Sequence, residues 1–403
     1  MSLLYEPFSP EVRADPYPIY ARLREEAPIY RAEEVDAWVL SRHEDVHFLL
    51  TQHESFSSDA MGAALAGVPA NPLPTPDAPR IVILLDPPRH GPMRSLLNRG
   101  FTPRRVSEIE ARLREIVAET LAGLAGRRRL DIVSEIAVPV PTRVIAELLG
   151  IERERLDDFK RWSCAIIAGS TGSMRPGGEQ AESHPLFLQS IGELREYLAE
   201  LSEARLRSPR EDLLTQLVRA ENGQVGLTPD EVVMFALVLL IAGNETTTCL
   251  IGNLIRMLLT HPEQLELLRR DPSRIPGAIE ETLRYEAPIQ FVFRRARSDV
   301  ERHGVTIREG DTVIGVIGAA NRDARRFPDP ERFDICRDAA GHLSLGFGIH
   351  YCLGASLARL EARLTLEALL DELPQLRMVS SKVENVDSFL VRGPRELVLE
   401  KTG

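Results

Sequence analysis

The chain has 403 residues, 43% of them hydrophobic and 27% charged, an ordinary globular composition and long enough to bury a large core. A formal net charge of -11 argues against nucleic acid as the main partner. The cysteines Cys164, Cys249, Cys336 and Cys352 have no zinc-type spacing, and no signal peptide or membrane anchor is expected, since the most apolar window, 232–243, is too short to span a bilayer. A soluble, cytoplasmic protein, monomeric, is the expectation.

In chain order, apolar periodicity predicts helices over 18–26, 44–50, 106–125, 132–149, 189–206, 210–221, 229–259, 262–271, 275–285 and 353–373. Strand-like patterns are few: 37–41, 304–310 ending in a turn, 312–317 and 396–399. No repeat or long linker divides the chain, which reads as one mainly α domain over 1–403 with small β-sheets. The stretches 61–80 and 169–184, rich in Pro, Gly and Ser, read as open loops, either functional lids or disordered.

The helix at 229–259 starts with Thr228 at N-cap, Pro229 at N1 and Glu231 at N3, a capping box. It would run about 45 Å at 1.5 Å per residue. Its apolar first half is interrupted by Gly243, Asn244, Glu245, Thr246, Thr247 and Thr248. One reading is a polar half emerging into solvent. The other is a local distortion that opens space for a small ligand and sets an acid beside an alcohol for proton relay.

The run Leu345-Gly346-Phe347-Gly348-Ile349-His350-Tyr351-Cys352-Leu353-Gly354 places a cysteine in a glycine-rich loop before a strong helix former. Glycines let the backbone turn tightly and a flat group approach it, and the helix N-terminus stabilises a sulfur anion. An isolated cysteine would read as a small buried hydrophobe; with these neighbours a metal-bound thiolate is the better reading.

With these two constellations the chain resembles the cytochrome P450 family, in its soluble bacterial members. Glu281-Thr282-Leu283-Arg284 resembles the family's ExxR motif, and Asn321-Arg322-Asp323 with 327–333 its meander. His90-Gly91-Pro92-Met93-Arg94 resembles HxxxR, and Arg294-Arg295-Ala296 the later RxA. The resemblance implies a P450 fold with haem b held between the central helix and the cysteine loop. It implies Cys352 as iron ligand and His90, Arg94, Arg294 and His350 at the propionates. Ala242, Gly243, Leu345, Gly346, Phe347 and Gly354 would border the haem, and Glu281 and Arg284 would form a structural network. Leu345 stands where the family usually has phenylalanine, with Phe347 two residues later.

The activity implied is insertion of one oxygen atom of O2 into a C–H or C=C bond. Thr246 would order water and Glu245 would link it to solvent, with Ala242 and Gly243 leaving room above the iron. Leu84, Val238, Ala242, Ile289, Val292, Phe293, Leu390 and Val391 would line a pocket for a lipophilic small molecule such as a terpenoid, fatty acid, steroid or macrolide. Neither a Rossmann fingerprint nor an iron–sulfur cysteine cluster is present, so electrons from NAD(P)H would arrive through a separate ferredoxin and its reductase. Arg99, Arg104, Arg105, Arg359 and Arg363 are candidates for a basic docking patch. A peroxide-driven enzyme and a catalytically silent scaffold are the alternatives; the Glu245-Thr246 pair and the retained Cys352 weigh against them.

Overall fold

The computed structural model describes residues 4–6, 9–59, 81–124, 126–173, 185–219, 227–388 and 390–402. The predicted loop at 61–80 lies outside these, as does 174–184. The principal helices are α1 Tyr17–Glu26, α2 His43–Thr51, α3 His90–Asn98, α4 Glu110–Ala122, α5 Pro139–Leu149, α6 Leu156–Ser173, α7 Pro185–Arg207, α8 Pro229–Thr260, α9 Ile275–Tyr285 and α10 Ala355–Leu369.

Strands β1 Ile29–Ala32, β2 Ala37–Leu40, β3 Phe56–Ser57, β5 Phe291–Ala296 and β8 Thr312–Val316 form a five-stranded sheet in the order β1-β2-β8-β5-β3. Only the β2–β8 pairing is parallel within it. β4 Arg129–Asp131, β10 Val398–Lys401 and β9 Leu376–Met378 make a second sheet, and β6 Val300–Arg302 with β7 Val305–Ile307 a hairpin.

Several boundaries differ from the sequence reading for local reasons. The predicted helix 132–149 is broken: Val133–Ala137 form a π-helical turn and α5 begins afresh at Pro139, since Pro139 and Pro141 have no N–H to donate. The segment 106–125 divides at Ile109 into Pro103–Glu108 and α4. α6 extends to Ser173, past the predicted start of the loop at 169, where Gly, Ser and Thr crowd its C-terminal end and mask the helical pattern. β5 escaped because Phe291, Phe293, Arg294 and Ala296 are all buried, so no alternation of apolar and polar residues marks it.

α8 is the axis of the larger core, packed by α5, α6, α7, α9 and α10. Its start is the predicted capping box: the Thr228 side chain accepts from the Glu231 N–H, and the Glu231 carboxylate accepts from the Thr228 N–H. The expected distortion is absent, for 229–260 is unbroken α-helix. Two of its polar residues serve packing instead. Asn244 donates to Thr142 of α5, and the Thr248 hydroxyl donates to the Ala137 carbonyl at 2.9 Å, satisfying the π turn. The helix is also longer than its most apolar window suggested. By length and composition it could cross a membrane, but protein covers it on most sides, as for a core helix. Two further apolar clusters flank the five-stranded sheet, one against α1 and one against α2.

Candidate functional site

Cys352 sits on the turn that leads into α10. Gly346 and Gly348 both have φ of +69°, and a Cβ on Gly348 would come within 2.9 Å of the Leu50 carbonyl, so glycine is required there. The Cys352 N–H donates to the Leu345 carbonyl at 2.8 Å, closing the loop. Burial pushes the Cys352 thiol up, while the Gly354 N–H, Arg94 and Arg359 pull it down. Iron binding would reverse the balance, because a metal displaces the thiol proton. Gly354, at N-cap of α10, has a negative φ, and a Cβ there would meet nothing within 4 Å. Open space therefore lies beside Gly354, two residues after the cysteine.

Leu345 packs against the larger core. Phe347 does not take the place of the usual phenylalanine: its ring is 39% exposed and lies against His47 with centroids 4.4 Å apart.

On α8, Val238 and Thr246 are half-buried and Ala242 is exposed, although the flanking Ala236, Leu237, Leu240, Asn244 and Thr247 are buried. Positions 238, 242 and 246 are successive turns of one face. A stripe of the central helix is thus left incompletely covered by protein. Gly243 lies off that stripe; its Cβ would press on Ile145 at 3.3 Å, so its smallness serves the approach of α5, contrary to the expected role above the iron. Glu245 is 8% exposed on the adjoining face. It acts on Cys249, one turn on, whose thiol is pushed up first by burial and then by the Glu245 charge.

The four predicted propionate residues converge. The His90 and His350 rings stand 4.5 Å apart, and His90 Nε2 is buried with no hydrogen-bond partner among the described residues. Arg294 is 5% exposed and donates to its own neighbour, the Phe293 carbonyl, at 2.8 Å. Burial brings it down to about 10 against the opposing pull of Asp86. His350 is driven down to about 3 by burial, then by Arg294 and His90. Arg94 donates to the Tyr351 carbonyl at 2.6 Å, which ties α3 to the residue before the cysteine. An orphaned imidazole nitrogen amid basic groups that repel one another is the setting in which a buried dianion is stabilised. The residues present fit haem, with a thiol for iron and cationic donors for two propionates.

Beneath the loop, Glu281 and Arg284 of α9 are both 0% exposed and paired through two bonds of 2.7 and 2.8 Å. Arg284 also donates to the carbonyls of Asn321, Pro330 and Arg332, and Glu281 accepts from the Asp334 N–H. The Asn321 amide in turn bonds Ser344 at 2.8 Å. The expected meander network is thereby complete.

Of the expected pocket residues, Leu84, Ile289, Val292, Phe293, Leu390 and Val391 share one apolar cluster with Cys249 of α8. Leu84, Ile289 and Val292 are half-buried, whereas Phe293, Leu390 and Val391 are already covered by protein.

The expected basic patch is corrected. Between α4, α9 and α10 lies a groove of about 320 Å³ lined by Val106, Ile279 and Leu360, with Glu110, Glu280, Arg359 and Arg363 at its rim. Arg359 is held by Glu280, Arg363 by Glu110 and Glu367, and Arg104 and Arg105 by Glu108. Arg104, Arg105, Arg359 and Arg363 are thus each paired with a glutamate, and Glu110 and Glu367 also bind Arg114. Sequence reading also missed Ser57, Ser58, Asp86 and Arg297, which gather at His350. The Asp-Pro-Pro before α3 marked a helix entry, but nothing in the sequence ties Ser58 to a histidine 292 positions away.

These features define a protein that grips a flat, dianionic cofactor between a central helix and a cysteine loop. The sequence model of the family Cytochrome P450 matches residues 186–399. Vitamin D(3) 25-hydroxylase of Pseudonocardia autotrophica is 39% identical over 396 residues, 96% of this chain and 94% of that protein. 6-deoxyerythronolide B hydroxylase of Saccharopolyspora erythraea is 40% identical over 409 residues, 98% of each chain. The solved structure of cytochrome P450 CYP109Q5 from Chondromyces apiculatus superposes with a TM-score of 0.87 at 41% identity, covering 98% of this chain and 97% of that one. The chain belongs to the cytochrome P450 family, oxidoreductases whose haem iron is ligated by a cysteine thiolate.

Proposed function

We propose that this P450 hydroxylates a neutral lipophile of steroid or macrolide size, with Cys352 as the iron ligand. The observation that carries the reading is the stripe of Val238, Ala242 and Thr246, an apolar face of α8 with a single hydroxyl that the surrounding protein leaves incompletely covered. Leu84, Ile289 and Val292 belong to an apolar cluster that reaches Cys249 of the same helix, which favours a lipophilic substrate. Relatives named for vitamin D(3) and 6-deoxyerythronolide B agree with a bulky lipophile.

Bound haem supplies the activation of dioxygen that no side chain can perform. The chain supplies the rest. His90, Arg94, Arg294 and His350 neutralise the propionates and orient the ring. Ala242 leaves clearance on the substrate side. The apolar wall excludes water and presents a C–H bond by shape. Thr246 holds an ordered water on the stripe, and the buried Glu245 beside it is the proton source.

Electrons come from NAD(P)H through a ferredoxin and its reductase. The chain acts as a single domain and a monomer in the cytoplasm, in keeping with four free cysteines. The test is the carbon monoxide difference spectrum of the reduced protein, followed by titration of the ferric protein with steroids, macrolactones and fatty acids. A thiolate-type Soret band that Cys352→Ser abolishes, with spin-state shifts for the neutral compounds, is expected. A histidine-type band, or shifts with fatty acids alone, overturns the reading.

A further inference from the structure

Ser58 follows β3 directly and is 1% exposed. Its hydroxyl lies 2.9 Å from His350 Nε2, and its N–H donates to Asp86 Oδ1 at 3.0 Å. The other Asp86 oxygen accepts from the Ser57 hydroxyl at 2.5 Å and from Arg297 at 2.6 Å, while the Asp86 carbonyl accepts from the His90 N–H at 3.0 Å. One carboxylate therefore ties together the end of β3, the residue after β5 and the entry to α3. These are the segments that carry Ser58, Arg294 and His90 to one place.

An imidazole that binds a cofactor carboxylate with one nitrogen is aimed by whatever holds the other. We propose that Ser58 is a positioning residue that engages Nε2 of His350 and turns Nδ1 toward a haem propionate, with Asp86 fixing Ser58 through its backbone. The proposal rests on haem binding as read above. Ser58 acts only through His350, and its geometry depends on a backbone N–H that a side-chain substitution leaves in place.

Ser58→Ala keeps the bond to Asp86 and removes the hydroxyl alone. In the haem-loaded full chain, the rate of haem transfer to apomyoglobin and the ferric–ferrous midpoint potential are measured for Ser58→Ala, His350→Ala and the double variant. Ser58→Ala is expected to keep the thiolate-type carbon monoxide band, to lose haem about fivefold faster, the effect of one neutral hydrogen bond, and to shift the potential in the same direction as His350→Ala. The double variant should lose haem no faster than His350→Ala, because the serine has nothing left to aim. Wild-type rates and potential in Ser58→Ala, or effects of the two substitutions that simply add, overturn the proposal while leaving the haem reading intact. A wild-type protein without the thiolate band overturns both.

Discussion

The Thr246 hydroxyl donates to the Ala242 carbonyl at 2.5 Å, one turn back along α8. Its hydrogen is thereby committed to the helix, and what it offers the open stripe is an acceptor lone pair. A water or a protonated oxygen species can donate to it, and an apolar residue cannot substitute. Thr246→Val, which keeps the shape, is expected to lower product formed per reductant consumed several-fold and to release hydrogen peroxide, whereas Thr246→Ser stays near wild type. Equal coupling in all three proteins would show that protons travel another way.

The Glu281–Arg284 pair is fully enclosed, so removing one charge leaves the other buried without compensation. Such losses cost about 3–5 kcal/mol, a large part of a typical total stability of about 5–15 kcal/mol. Glu281→Gln is expected to bring the urea midpoint of the haem-loaded protein down sharply and to reduce the yield of folded protein. A midpoint equal to wild type would mean that the meander carbonyls around Arg284 suffice without the carboxylate.

What could be read in the sequence was local. The capping box at Thr228, the glycine turn at Cys352 and the helix after it follow from neighbouring residues, and His90, Arg94, Glu281 and Arg284 sit at helical spacing. Where several segments meet, sequence pattern was silent. Gly243 looked like clearance for a ligand until α5 placed Ile145 against it. Arg359 and Arg363 looked like an open cationic surface because their glutamate partners, Glu280 and Glu110, come from other helices. Likewise Asn244 and Thr248 looked like a helix defect until Thr142 and the Ala137 carbonyl supplied their partners.

Glu280 gives the first of two pH dependences. Burial pushes its carboxyl up, but hydrogen bonds from Arg359 and His342 outweigh this and hold it at about 2. The unfolded chain titrates near 4.3, so this contribution is present above that pH and is lost as pH falls toward 2. Arg359→Ala should lower stability at pH 7 by about 1–2 kcal/mol, after discount for partial exposure, and the gap from wild type should close in acid. Urea midpoints taken between pH 3 and pH 7 decide it; a gap independent of pH would mean that Arg359 acts through packing alone.

Glu361 carries the opposite sign. It lies in α10, 2% exposed, and its Oε2 has no hydrogen-bond partner among the described residues, nor has the buried Thr365 hydroxyl one turn on. Burial alone raises its carboxyl to about 8. Between the unfolded value near 4.3 and the folded one the native state holds a proton that the unfolded chain releases, so stability falls as pH rises through this window, by about 1.4 kcal/mol per pH unit from this group, and levels off above 8. Glu361→Gln keeps the shape and a neutral polar head at every pH. The difference in unfolding free energy, variant minus wild type, should therefore grow from pH 5 to pH 8 and then stay flat, measured by urea denaturation of the haem-loaded chain. Parallel profiles would mean that Glu361 meets a partner that stabilises its charge, and that the polar pair in α10 holds no stored proton.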